Sequence, residues 1–289
     1  MIFYILILGE KMLSGPFLDR NWMGQNNDYE TSDVIMLGLP FDGTVSYRPG
    51  SRFAPEQIRL ASWGLEEYSP IFDKHLEDVN FHDAGDLEFP LGNTYKSLEL
   101  IKKNVEEIYK DGKKVFGIGG EHLVTLPEVQ AVSKFYKDLA LVHFDAHTDL
   151  REEYLGEEMS HSAVIRHCSK IIEPENIKQI GIRSGMKEEW EFMAKYNTLC
   201  QRYSDLDCLK NKHLFVTVDL DCLDPSVMPG TGTPESGGMQ FNELIGWFEY
   251  LKDFDIVGAD VVELAPDYDP SGVSTAVATK VIRELLMIM

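Results

Sequence analysis

Residues 139–150, LALVHFDAHTDL, begin as a strand-like apolar run and end in three polar side chains at alternate positions. A β-strand turns alternate side chains to the same face. Asp145, His147 and Asp149 are therefore expected on one side of the chain where a strand ends. The run before them is apolar almost throughout, which is typical of a parallel strand covered on both faces. The stretch predicts a buried strand that brings two carboxylates and an imidazole to one edge of a sheet.

Five further strand-like runs occur along the chain, with helix-patterned segments between them. The runs cover residues 33–40, 113–120, 177–184, 214–221 and 256–264. Segments 97–112 and 241–254 have apolar residues at helical spacing, and the second begins beside Asn242, a candidate cap. This alternation predicts an α/β fold, a three-layer α/β/α sandwich with a mainly parallel central sheet. No linker, repeat or low-complexity segment interrupts it, so we expect one domain over residues 1–289.

The first residues, MIFYILILGEKML, allow two interpretations. Their apolar run is too short to span a bilayer, and it lacks a basic segment and a small-residue cleavage site. It is either a buried first strand or, for residues 1–11, an extension upstream of a start at Met12. An intact mass of the native protein that includes residues 1–11 would exclude the second interpretation.

Charge and cysteine content limit the classes of partner. The formal net charge of −21 argues against a nucleic-acid or anionic-membrane partner, because both would be repelled. It is compatible with a cationic substrate, although a solvated acidic surface is the simpler explanation of the total. The cysteines form no C-x-x-C pair, which favours a reduced, cytoplasmic location. They are Cys168, Cys200, Cys208 and Cys222.

Polar residues also follow two other strand-like runs. The sequence GGEH (119–122) places His122 on a glycine-rich turn, and VDLDCLDP (218–225) contains Asp219 and Asp221. Ligand crevices in open α/β sheets lie outside the carboxyl ends of the strands. These residues are therefore expected to meet the D-x-H-x-D motif at one edge of the sheet.

The expected cluster contains four carboxylates and two imidazoles. Its members are His122, Asp145, His147, Asp149, Asp219 and Asp221. An oxygen-rich set with some histidine and no thiolate favours Mn²⁺, with Mg²⁺, Fe²⁺ and Zn²⁺ as alternatives. Six ligands exceed the need of one ion, which predicts two ions about 3.5–4 Å apart that share carboxylates. Without metal, backbone and arginine donors would have to hold together four carboxylates that repel one another.

Five separated motifs, in the right order, resemble the ureohydrolase family, which includes arginase and agmatinase. They are GGEHLVTLP, HFDAHTDL, SHS, DLDCLDPSVMPGTGTPESGG and DVVELAPDYDPSGVSTAVATKVIRELL. The resemblance runs from about residue 33 to the C-terminus, and blocks 40–62 and 64–70 look like the bacterial agmatinase branch. It implies an arginase-like fold and two Mn²⁺ ions on the same six residues. The implied activity is hydrolysis of agmatine to putrescine and urea by a metal-bridging hydroxide, in a homotrimer or homohexamer.

The resemblance also implies roles for single residues. Asp149 passes a proton to the leaving amine, and His161, in MSHSA, shuttles protons at the mouth of the site; a capping or loop histidine is its alternative. Glu263 pairs with the substrate guanidinium, which favours a bidentate carboxylate; a local ion pair is its alternative. In the GTGTPESGG loop, Thr233 is implied to contact the substrate, with a structural turn as the alternative. Glu235, in the same loop, is implied to contribute to substrate selectivity.

The loop after the D-x-H-x-D motif bears on the substrate. REEYLGEE (151–158) carries Glu152, Glu153, Glu157 and Glu158 against the single base Arg151. Such acids attract the ammonium tail of agmatine, by about 1 kcal/mol at 4 Å in water and about 4 kcal/mol at an effective dielectric of 20. The alternative is that these side chains face solvent. Arg151 is a candidate partner for a substrate carboxylate, which keeps guanidinobutyrate open beside an arginase-type activity.

Other classes are weaker alternatives. A deacetylase-like hydrolase would use one zinc ion and lacks the second D-x-D, and a formiminoglutamate hydrolase takes an anionic substrate. A metal-binding pseudoenzyme is expected to have lost ligands, whereas all six are present here. The remaining histidines are expected to be surface or packing residues; for His143 a position just behind the metal ligands is the alternative. They are His75, His82, His143, His167 and His213.

Overall fold

A parallel sheet of eight strands organises the chain. The computed structural model describes residues 4–8, 11–15, 21–25 and 27–289, the first two ranges as backbone alone. Its strands are β1 (Tyr4–Leu8), β2 (Lys11–Gly15), β3 (Val34–Leu39), β4 (Tyr68–Ser69), β5 (Lys74–His75), β6 (Phe81–Asp86), β7 (Lys114–Gly119), β8 (Ala140–Phe144), β9 (Ile177–Ile180), β10 (Leu199–Cys200), β11 (His213–Asp219) and β12 (Asp255–Val262). The central sheet has the order β10-β9-β8-β11-β12-β7-β3-β6, and every neighbouring pair is parallel.

Helices cover both faces of this sheet. They are α1 (Ala54–Ser62), α2 (Thr94–Lys110), α3 (Thr125–Val132), α4 (Val164–Cys168), α5 (Lys187–Tyr196), α6 (Phe241–Leu251) and α7 (Val273–Leu286). One apolar core joins α1, α6 and α7 to the sheet, and a second joins α2 to α5 to it. In β3, Val34 and Met36 pack into the first core while Ile35 and Leu37 pack into the second. The predicted three-layer sandwich is confirmed.

All six predicted strands are present, but several elements differ from the sequence prediction. The edge strand β6 was not predicted, because its sequence FHDAGD alternates burial and is rich in polar residues. Helix α2 begins at Thr94, earlier than predicted, since the Asn93 side chain caps it by accepting the Lys96 N–H at 2.9 Å. Asn242 is not the cap of α6: that position belongs to Gln240, whose N–H donates to the Glu243 carboxylate at 2.7 Å.

The N-terminal residues lie outside the central sheet. Strands β1 and β2 pair antiparallel with each other, in register from Tyr4 opposite Gly15 to Leu8 opposite Lys11. The start at Met12 and the single domain over residues 1–289 stay predictions. Among the described residues, no helix is long and apolar enough to cross a membrane.

The order of the strands explains where the polar motifs meet. Strands β8, β11, β12 and β7 are consecutive neighbours in the middle of the sheet. They end at, or just before, the first residue of DAHTD, DLD, VEL and GGEH respectively, so four segments far apart in sequence converge at one edge.

Candidate metal centre

The first centre surrounds His122, which follows β7. Its Nδ1 lies 3.1 Å from Asp145 Oδ2, 3.3 Å from Asp149 Oδ2 and 3.3 Å from Asp219 Oδ2. The nitrogen is buried, and none of these contacts, nor any other within the described part of the chain, is aligned as a hydrogen bond. A buried imidazole nitrogen and three carboxylate oxygens grouped at these distances form a donor set that suits a divalent cation.

Hydrogen bonds on the far side of His122 fix its tautomer. Its Nε2 lies 3.0 Å from Thr217 Oγ1, and the Thr217 hydroxyl donates to Asp260 Oδ1 at 2.6 Å. The Thr217 oxygen is therefore the acceptor of the Nε2 proton, and Nδ1 keeps its lone pair for a metal ion.

The second centre surrounds His147. Its Nδ1 lies 3.1 Å from Asp221 Oδ2 and 3.4 Å from Asp145 Oδ1. The two oxygens of Asp145 thus face different histidines, one in each centre. Two groups able to hold a metal ion share this carboxylate, so Asp145 is placed to bridge two ions.

Burial makes the cluster costly in the absence of cations. Burial and the neighbouring Asp145 raise the pKa of Asp149 to about 7. Burial and the charge of Asp221 raise the pKa of Asp219 well above its ordinary value. Asp145 is the exception, because its histidine neighbours outweigh burial and hold its pKa well below the ordinary value. Divalent ions would offset this repulsion, and the donor set, rich in oxygen and free of thiolate, fits them.

The alternation seen in the sequence is only partly a strand feature. Strand β8 ends at Phe144, before the motif, and the motif continues beside residues 180–184, where Asp145 N–H donates to Ile180 O and Thr148 N–H to Ser184 O, both at 3.1 Å. At Asp149 the backbone is left-handed, with φ 52°. Its carbonyl accepts the N–H groups of Ile165 and Arg166 in α4, at 3.0 and 3.1 Å.

Glu263 has the same unusual backbone, with φ 68°. Left-handed backbone costs a non-glycine residue about 1–3 kcal/mol and clusters at functional sites. The Glu263 carboxylate is buried, and its Oε1 accepts the backbone N–H of His122 at 2.8 Å. This bond places the carboxylate beside the first metal centre.

His143 is not simply a packing residue, so that expectation is wrong. Its Nε2 lies 2.8 Å from Asp145 Oδ2, and its Nδ1 lies 3.1 Å from Gln179 Nε2. Since the Gln179 amide nitrogen is the donor to Nδ1, the His143 proton is on Nε2 and is donated to Asp145. His143 orients the bridging carboxylate. Its place two residues before Asp145 was the available sequence signal; no signal marked Gln179.

A cavity of about 340 Å³ opens onto the cluster. Four candidate ligands line it: His122, His147, Asp149 and Asp219. Three further predicted site residues also line it: Glu263, His161 and Thr233. The ligand candidates Asp145 and Asp221 are not part of the lining. The Thr233 hydroxyl also donates to Asp221 Oδ2 at 3.2 Å. Apart from Arg151, sequence reasoning missed the rest of the lining, which includes Tyr154, Ser184, Met186 and Glu189.

His161 lies on the wall of this cavity. Its Nδ1 is 3.5 Å from Thr44 Oγ1, and its Nε2 is 3.4 Å from Ser46 Oγ. Burial lowers the pKa of His161 to about 4, so its imidazole is neutral at physiological pH. A neutral imidazole has one nitrogen that donates a hydrogen bond and one that accepts, so His161 offers both at the cavity wall.

Two predicted contributors to substrate choice do not line the cavity. Glu235 is half-buried, and its backbone carbonyl accepts an Arg183 N–H at 2.6 Å; a substrate contact for its side chain stays a prediction. The four acids of loop 151–158 are all exposed, and Glu152 pairs with Arg166. These four acids therefore face solvent, which is the alternative to attracting the substrate's ammonium tail. Arg151 does line the cavity, with its guanidinium 4.8 Å from the centre of the Tyr154 ring.

The fold and the cluster define a parallel α/β protein with a histidine–aspartate centre able to hold metal ions. The family comparison agrees: a model of the Arginase family matches residues 32–288. The chain belongs to the arginase family.

Relatives and solved structures support this assignment. The chain is 47% identical over 270 residues to an agmatinase of Halalkalibacterium halodurans, covering 90% of this chain and 93% of the relative. It is 46% identical to an agmatinase of Bacillus subtilis, with 90% and 93% coverage. The agmatine ureohydrolase structure of Thermoplasma volcanium matches with a TM-score of 0.84, 31% identity and 94% coverage of each chain. An arginase of Medicago truncatula matches with a TM-score of 0.76, 27% identity, and coverage of 89% of this chain and 87% of that chain.

Proposed function

We propose that this protein is an agmatinase, which hydrolyses agmatine to putrescine and urea with two Mn²⁺ ions per subunit. The observation that carries the proposal is the pair of histidine–aspartate centres sharing Asp145 on the floor of a cavity, beside the buried carboxylate of Glu263. The agmatinase relatives, 46–47% identical over 90% of the chain, favour agmatine among guanidino substrates.

The residues of the cluster would hold the ions in two sets. His122, Asp149 and Asp219 would hold one ion, His147 and Asp221 the other, and Asp145 both. When bound, divalent ions lower the pKa of coordinated water to about 7 and so supply hydroxide at neutral pH.

The protein groups around the cluster bind the substrate and move its protons. Glu263 receives the planar guanidinium cation with a carboxylate that is already buried and positioned. The Asp149 carboxylate lines the cavity, where it would receive a proton and pass it to the leaving amine. His161, at the cavity wall, would exchange protons between this site and solvent.

A substrate panel tests the proposed function. We expect the Mn²⁺-loaded protein to release urea from agmatine with a kcat/KM at least about 10-fold above that for arginine or 4-guanidinobutyrate, since a 1.4 kcal/mol difference in transition-state binding gives that ratio. A higher kcat/KM for either competitor would reverse the substrate assignment. Absence of urea from all three would favour the pseudoenzyme.

A guanidinobutyrase activity is the second candidate, because Arg151 lines the cavity and the loop acids do not. Replacing Arg151 with glutamine separates the two candidates. For an agmatinase we expect kcat/KM for agmatine to stay within about 3-fold or to rise, because removing a cation relieves repulsion of the ammonium tail. A loss of about 10-fold or more on 4-guanidinobutyrate, in a protein that prefers this substrate, would establish the guanidinobutyrase instead.

The cellular and quaternary predictions are parts of the same proposal. The cysteine content predicts a cytoplasmic location, and the family resemblance implies a homotrimer or homohexamer. Sedimentation velocity of the purified protein distinguishes these assemblies from a monomer of 32.8 kDa.

A further inference from the structure

A loop outside the metal-binding motifs reaches the cavity beside His161. The turn at residues 43–44 follows β3, and Thr44 is half-buried there. The Thr44 hydroxyl donates to Glu121 Oε1, and the Thr44 backbone N–H donates to Glu121 Oε2 at 2.7 Å. Both oxygens of this buried carboxylate are therefore used to hold one threonine.

The same threonine oxygen contacts His161 twice. Thr44 Oγ1 accepts the backbone N–H of His161 at 3.1 Å and lies 3.5 Å from its Nδ1. Since the Thr44 hydroxyl and backbone N–H both point at the Glu121 oxygens, the Thr44 oxygen is left to accept from the imidazole. This arrangement favours the tautomer that carries its proton on Nδ1, and it leaves the lone pair on Nε2.

We propose that Glu121 and Thr44 are positioning residues for His161: they hold its imidazole at the cavity wall in the Nδ1–H tautomer, so that Nε2 is the atom that takes up the proton. The consequence for turnover rests on the proposed function, because it requires His161 to carry protons during urea release. The tautomer itself does not depend on that function. Ser46 Oγ, 3.4 Å from Nε2 and exposed, is the group nearest the free nitrogen along this loop.

Two substitutions of Thr44 isolate the hydroxyl. Thr44→Val keeps the size and removes the hydroxyl, and Thr44→Ser keeps the hydroxyl. In the Mn²⁺-loaded enzyme we expect Thr44→Val to lower kcat by about 10–100-fold, part of the ~10²–10⁴-fold that positioned proton transfer contributes. KM and metal content are expected to stay within about 2-fold, and Thr44→Ser to recover kcat to within about 3-fold of the parent.

A matched control and a double variant make the kinetic test decisive. Thr31→Val removes an exposed hydroxyl that donates to the Asp28 carbonyl at 3.2 Å, remote in sequence from the site, and it should leave kcat unchanged. The double variant Thr44→Val, His161→Ala should have the same kcat as His161→Ala alone, because Thr44 acts through the imidazole. Equal losses in the valine and serine variants, or additive losses in the pair, would overturn the proposal.

A measurement without substrate separates this proposal from the proposed function. The measurement is the NMR spectrum of protein that is ¹⁵N-labelled at histidine and loaded with diamagnetic Mg²⁺. The His161 resonances are identified as those that disappear from the spectrum of His161→Ala. We expect their ¹⁵N shifts to report the Nδ1–H tautomer in the parent and a mixture in Thr44→Val. An Nε2–H tautomer in the parent, or shifts unchanged by Thr44→Val, would overturn the positioning role. Failure of urea release with the expected shifts would contradict only the proposed function.

Discussion

Replacing Asp145 with asparagine is expected to remove both metal centres and to lower urea release by at least about 10³-fold. Its two oxygens face different histidines, Oδ2 at 3.1 Å from His122 Nδ1 and Oδ1 at 3.4 Å from His147 Nδ1. Asparagine keeps the shape but supplies one weaker oxygen and no charge, so neither ion keeps its shared ligand. Loss of the ions would remove the proposed source of hydroxide at neutral pH.

Metal content and rate should be measured on the same samples. Elemental analysis after dialysis is expected to find about two ions in the parent and close to none in Asp145→Asn. Asp221→Asn should lose first the ion on the His147 side, because Asp221 Oδ2 lies 3.1 Å from His147 Nδ1. The control Asp253→Asn changes an exposed aspartate and should keep both ions and the full rate. An Asp145→Asn protein with two ions and the parental rate would contradict the bridging role.

The sequence predicted the sheet and the ligands because both depend on simple periodicities. Apolar runs between helical segments gave all six central strands that were expected. Polar residues at the ends of β7, β8 and β11 gave the six ligand candidates, and the residue after β12 gave Glu263. These ligands meet because their strands are neighbours in the sheet. The sequence does not give the strand order, but ligands in such sheets bind at the carboxyl ends of the strands, and this was enough to predict the meeting point.

The same reasoning failed where loop conformation decides the outcome. The position of Asp149 depends on a left-handed residue and on its carbonyl bonds to α4, not on a strand repeat. The acids of loop 151–158 face solvent while Arg151 reaches the cavity, and no periodicity sets those directions. His143 was taken for packing because its burial is visible in the sequence pattern, whereas its hydrogen bond to Asp145 is not.

Replacing Glu263 with glutamine is expected to lower kcat/KM for the guanidino substrate by about 10²–10³-fold while both metal ions remain. Leaving one member of a buried charged pair without its partner costs about 3–5 kcal/mol, and each 1.4 kcal/mol is a factor of ten. The glutamine can keep the bond that matters for the fold, because its Oε1 still accepts the His122 N–H that Glu263 accepts at 2.8 Å. The loss should therefore reflect substrate binding rather than a damaged metal centre.

A comparison with Glu249→Gln controls for the change of charge, since Glu249 is exposed on α6 and should behave like the parent. Steady-state kinetics should show KM rising in Glu263→Gln, with two ions still present by elemental analysis. Glu263→Asp keeps the charge but shortens the side chain, and it should fall between the parent and Glu263→Gln, because the carboxylate no longer spans both the His122 N–H and the guanidinium. A KM unchanged in Glu263→Gln, together with a full complement of metal, would mean that another group binds the guanidinium. If Glu263→Gln loses metal instead, the role of Glu263 would be to position the metal ligand His122 through its hydrogen bond to the His122 N–H.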